Sequence, residues 1–168
     1  MRVASSSIRD LTHVGPPFLH WSSNDADQVE KGIKIKVGET LLVRRIDANI
    51  ARNLTGLGKE LGKAIGRPIV DNQDALDDVM GDVYWLGGAA GPAATVYVVE
   101  NAAAILRDLP AGMAMWGTKA EGWARAWATP VRDGESWNHD PIPLHFIHCT
   151  DKMPRNAPNM NRFEIDRP

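Results

Sequence analysis

The 168 residues suit one domain with a real hydrophobic core, and a net charge of −2 makes no case for nucleic-acid binding by the chain as a whole. One cysteine, Cys149, excludes an internal disulfide framework and fits a reducing compartment. No apolar run approaches the ~20 residues of a membrane span, and Met1 to Ser7 lack the apolar core of a secretory signal, so a soluble cytoplasmic protein is expected.

Residues 1–32 are mixed and polar. Gly15, Pro16 and Pro17 punctuate them, and Phe18, Leu19, His20 and Trp21 form a short apolar patch placed to fold back on the domain. Ile33, Ile35 and Val37 alternate with Lys34 and Lys36, the period of a half-buried strand. A turn at Gly38, Glu39 and Thr40 leads into Leu41, Leu42, Val43, Arg44, Arg45 and Ile46, so a β-hairpin is predicted across residues 33–46. From Asn53 the period lengthens. Leu54, Leu57, Leu61 and Ile65 make a helical stripe, with Asn53 or Thr55 placed to cap it and Gly66 to end it. Gly56, Gly58 and Gly62 work against that helix, each by up to ~1 kcal/mol relative to alanine.

Residues 71–82 hold five aspartates and no base. Wound as an α-helix, this stretch puts Ala75, Leu76, Val79 and Met80 on an apolar face and Asp71, Asp74, Asp78 and Asp82 on another, with Asp77 beside them. The pairs Asp74/Asp78 and Asp78/Asp82 each oppose the helix by roughly 0.2–0.5 kcal/mol. First-turn acids recover part of that from the helix dipole, and Asp82 does not. One reading is a solvated face, with Asp71 as N-cap and Asp74 in a capping-box-like role. The other is a docking surface for something positively charged.

Beyond Gly81 come Tyr84, Trp85 and Leu86 and a Gly/Ala loop, then Thr95 to Val99, an apolar run of β-formers that marks a strand covered on both faces. Asn101 is placed to cap a helix over 102–109, limited by Pro110. Trp123 and Trp127 at i,i+4 predict a helix over 118–128. Leu144 to His148 is the last predicted strand, and the tail from Asp151 is expected to be extended or loosely docked. His145 and Cys149 would share one strand face and His148 the other, a poorly formed metal site. Trp116, Trp123, Trp127 and Trp137 read as packing residues, because no basic stripe accompanies them. Arg44 and Arg45, near Lys34 and Lys36, read as a solvated strand face.

The order strand, helix, acidic helix, strand, helix, helix, strand predicts an α/β fold with parallel central strands. Over residues 41–149 the sequence resembles the barstar family of intracellular ribonuclease inhibitors. The resemblance rests on Asp74, Ala75, Leu76, Asp77 and Asp78 followed by Asp82, Val83, Tyr84, Trp85 and Leu86. It extends to the strand Val96 to Glu100 with Asn101 and Ala102, and to Trp127, Pro130, Gly134 to Trp137 and Pro143 to Phe146. It implies a small three-stranded parallel sheet flanked by helices, here with an added N-terminal hairpin strand. The implied layout is an N-terminal extension over 1–40, the barstar-like domain over 41–149 and a tail over 150–168. It also implies a non-enzymatic inhibitor that needs no cofactor or metal and plugs the active site of a basic secreted or toxin-type ribonuclease. Asp74 and Asp78 match the inhibitory helix acids, Asn72 lies in the preceding loop, and Glu135 is the candidate acid near the last strand. Asp77, Asp82 and Trp85, or Tyr84, would complete the contact surface. The chain departs from the family at Pro68, Ile69 and Val70, where aromatic residues are common, and at Asp77, where the best-known member has tryptophan.

Two other classes use the same residues. A binding module for a basic partner that is not a nuclease would present the same face. A phosphoesterase would gather the aspartates around Mg²⁺, but the spacing matches no standard metal loop.

Overall fold

A computed structural model describes residues 5–37, 40–66, 68–69, 72–81, 93–132, 134, 139–153 and 160–165. Its centre is a six-stranded, all-parallel sheet of order β1-β6-β2-β5-β4-β3. The strands are β1 (Ser5–Ser6), β2 (Leu19–Ser22), β3 (Leu41–Asp47), β4 (Ala94–Glu100), β5 (Leu144–Cys149) and β6 (Asn161–Phe163). Four α-helices connect them: α1 (Ala26–Val37), α2 (Leu54–Ile65), α3 (Gln73–Gly81) and α4 (Gly112–Ala128). The α/β class and the parallel pairing are as predicted, but the sheet has six strands where the family resemblance implied three.

The connections explain the layering. From β2 the chain crosses three places along the sheet to β3 through α1, then steps back to β4 through α2 and α3 and to β5 through α4. Crossovers of one hand running in opposite directions must lie on opposite faces. Accordingly, Val29 and Ile33 of α1 pack with Val96, Val98 and Ile147 on one face. Leu57 and Leu61 of α2, Leu76 and Met80 of α3 and Trp116, Trp123 and Trp127 of α4 pack with Tyr97, Val99 and Phe146 on the other. β4 is therefore buried from Ala94 to Val99, the doubly covered strand its composition predicts.

The predicted hairpin over 33–46 is corrected. Residues 33–37 are the last turns of α1, with Ile33 buried and Ile35 73 % exposed. Ala26, Val29, Ile33 and Val37 recur at steps of three and four, and this helical stripe outweighs a three-residue alternation. Asp25 and Gln28 also close a reciprocal cap. Gln28 N donates to Asp25 Oδ1 at 2.8 Å and Asp25 N to Gln28 Oε1 at 3.2 Å.

The predicted helix over 102–109 is likewise replaced, by a 3-10 turn, Ala102–Ala104. Asn101 (φ 54°) and Leu106 (φ 48°) adopt left-handed backbone. Leu106 N and Asp108 N donate to the carbonyls of Ala51 and Arg52, at 2.9 and 3.0 Å, rather than up a helix. α4 starts after this tie, earlier than residue 118.

α2 forms as expected, with Asn53 accepting from Gly56 N and Gly66 (φ 77°) closing it. Gly56 is required there, since a Cβ would lie 1.9 Å from the Ile50 carbonyl oxygen. In the tail, residues 160–165 are extended, as one of the two expectations had it, and they are paired rather than loose. β6 lies between β1 and β2, and Ile165 Cγ2 sits 2.7 Å from where a Gly32 Cβ would be.

Candidate functional site

α3 takes shape as its two faces require. Leu76 and Met80 are fully buried, Ala75 and Val79 half-buried, and Asp74 and Asp78 exposed. The helix is capped by Asn72, whose Oδ1 accepts from Ala75 N at 2.8 Å. Asn72 thus takes the role predicted for Asp71, which lies outside the described residues. Asp74 and Asp78 are exposed, and among the described residues neither has an ion pair.

Asp77 behaves differently from its neighbours. Its carboxylate accepts from Lys119 Nζ at 2.6 and 2.9 Å and from Trp123 Nε1 at 2.9 Å. Four residues further along α4, Trp127 Nε1 donates to the Met80 carbonyl at 2.6 Å. Lys119, Trp123 and Trp127 form one i, i+4, i+8 stripe of α4 and clamp the inner flank of α3. Lys119 is only 8 % exposed, and Asp77 supplies its counter-charge. Asp77 was expected beside the outward acids. Its carboxylate instead turns towards α4, with the side chain 44 % exposed. Asp82, Tyr84, Trp85 and Glu135 lie outside the described residues, as does Trp137.

A second polar cluster lies within the sheet. His145 stands on the α1 face with His20, and His148 on the opposite face beneath Trp116, as the strand alternation predicts. Trp116 can only donate, so His148 Nε2 (2.7 Å) is bare and its Nδ1–H donates to the His20 carbonyl at 2.8 Å. His145 Nε2 faces the His13 carbonyl at 3.2 Å and so carries the proton. Its Nδ1 accepts from His20 Nε2–H at 3.1 Å. The bonds accepted by His145 Nδ1 and His148 Nε2 need those two rings neutral, and burial enforces that. Desolvation, helped by His145 and His148, lowers the His20 pKa to about 3, and desolvation brings His145 and His148 to about 4. Sequence reasoning missed the partnership with His20, because 125 residues separate it from His145. Trp116, Trp123 and Trp127 are buried, as their reading as packing residues requires.

Arg45 is not a solvated cation either. It bonds Asp27 at 2.6 Å and Glu30 at 2.9 Å, both on α1, and reaches Glu100 at 3.6 Å. Among the described residues no three His, Cys, Asp or Glu side chains converge as a ligand set, and no helix is long and apolar enough to cross a membrane.

The fold and this surface define a doubly wound α/β protein that carries a pinned, outward-facing acidic helix. No protein-family model matches the chain, and no curated protein or solved structure gives a significant match to it.

Proposed function

We propose that the protein is a cytoplasmic, non-enzymatic docking protein whose helix α3 engages a basic protein surface, in the manner of a ribonuclease inhibitor. The observation that carries this reading is the division of labour along α3. Asp77 anchors the helix to α4 while Asp74 and Asp78, one turn apart, stay exposed and unpaired among the described residues. A rigid carboxylate pair loses little entropy on docking and forms strong charge-assisted hydrogen bonds with Lys, Arg or His. A ribonuclease cleft, built of such cations to hold a phosphodiester, is the complementary shape and charge. The order of elements around α3 and the sequence resemblance to the barstar family support that choice of partner.

The metal-dependent phosphoesterase reading loses one of its carboxylates, since Asp77 is engaged by Lys119 and Trp123. A basic partner that is not a nuclease would use the same face.

The test is inhibition of basic microbial ribonucleases by the wild type and by an Asp74→Asn/Asp78→Asn variant. Wild type inhibits, and the variant loses about 2–5 kcal/mol of binding, a factor of thirty or more. Raising ionic strength weakens the wild type more than the variant. Equal inhibition by the two proteins would overturn the proposal.

A further inference from the structure

The carboxyl ends of three adjacent strands meet on one edge of the sheet: Ser22 of β2, Cys149 of β5 and Glu100 of β4. Above them the loops part. The chain leaves β2 through Ser23, Asn24 and Asp25 into α1 on one face, and leaves β4 through Asn101 and the 3-10 turn towards α4 on the other. β5 lies between those strands, so its end is the floor of the gap. In an open parallel sheet this divergence is where a crevice forms and small ligands bind.

Such a crevice is present here, with a volume of about 620 Å³. Its floor includes Cys149, 6 % exposed, whose thiol has no hydrogen-bond partner among the described residues. Asp25 stands on the β2 wall and Glu100 on the β4 wall. Burial, then Asp25 and Glu100, push the Cys149 thiol up to about 12. The thiol is therefore a neutral surface rather than a nucleophile. Arg107 also lines the β4 side, and its side chain has no ion pair among the described residues. The crevice thus offers a carboxylate on each wall, that of Glu100 with Arg45 at 3.6 Å, and Arg107 on the β4 side.

We propose that this crevice binds a small zwitterion of the free amino-acid type, its ammonium between Asp25 and Glu100 and its carboxylate on Arg107. The two charges of such a ligand match the two signs of the lining, and Asn24 and Asn101 supply amide groups beside them. The site is independent of the acidic face of α3.

The test is calorimetric titration of the full chain with each of the free L-amino acids, with putrescine and succinate as probes lacking one of the two charges. At least one amino acid binds saturably, and putrescine and succinate bind at least tenfold more weakly. Glu100→Gln and Arg107→Gln each weaken the amino acid at least fivefold. So does Asp25→Asn, which removes the charge but keeps a side-chain oxygen able to cap α1. The Asp74→Asn/Asp78→Asn variant binds the amino acid as the wild type does. The proposal is overturned by no saturable binding, by binding unchanged in the three crevice variants, or by putrescine or succinate binding as tightly.

Discussion

His20 enters the structure twice, through its ring, which donates to His145, and through its carbonyl, which accepts from His148. Protonating His145 or His148 removes the acceptor for His20 or Trp116 respectively. The folded-state pKa values of about 3 to 4 lie below the 6.5 of an ordinary histidine, so the unfolded chain binds more protons in between. The stability these rings provide is complete above pH 6.5 and falls as the pH drops towards 4. Between pH 6.5 and 5 each ring forfeits up to about 2 kcal/mol. Urea unfolding followed from pH 7.5 to 4.5 will show the midpoint collapsing below pH 6, and a flat midpoint across that range refutes the assignment. The sequence revealed that His145 and His148 would point to opposite faces. It did not reveal what each would meet, because those partners come from β2 and α4.

At the scale of elements, legibility followed the length of the periodic signal. α2, β4 and β5 carry long stripes or runs, and each forms where its pattern placed it. α1 was misread because Ile33, Ile35 and Val37 mimic a strand locally, although Asp25 and Gln28 already spelled a capping box upstream. The candidate site was legible to the same degree. The exposed positions of Asp74 and Asp78 follow from helical geometry alone. The inward commitment of Asp77 depends on Lys119 and Trp123, 42 and 46 residues away, which no local rule identifies. That contact carries its own prediction. Asp77→Ala leaves Lys119, 8 % exposed, and the Trp123 indole without their acceptor and lowers stability by about 2 kcal/mol. It also loosens α3, so hydrogen exchange speeds up over Gln73–Gly81 more than over α2. Equal protection of the two helices in the variant would show that the clamp does not hold α3 in place.

For the whole molecule, the resemblance pointed to three strands, and the added ones come from segments read as extension and tail. β1 and β6 span Ser5–Ser6 and Asn161–Phe163, too short for any period-2 signal, and only their neighbours define them. Among the described residues β1 pairs with β6 alone, and Phe163 is buried beside His20, ring centres 6.0 Å apart. Deleting residues 160–168 removes that partner and a buried aromatic side chain, at a cost of about 3–5 kcal/mol. In a deletion variant that still folds, amide protection is lost first over Ser5 to Thr12, and retention of native exchange rates there would contradict the pairing. α3 belongs to the connection between β3 and β4, so on the docking proposal the deletion leaves ribonuclease inhibition unchanged.

The placing of β6 between β1 and β2 also sets a timetable for the nascent polypeptide. A ribosome delivers Ser5–Ser6 early, yet their only described partner strand is translated after every other strand. Until Asn161–Phe163 emerges, one flank of β2 stays open to any passing strand, which makes the growing chain a natural client for a chaperone.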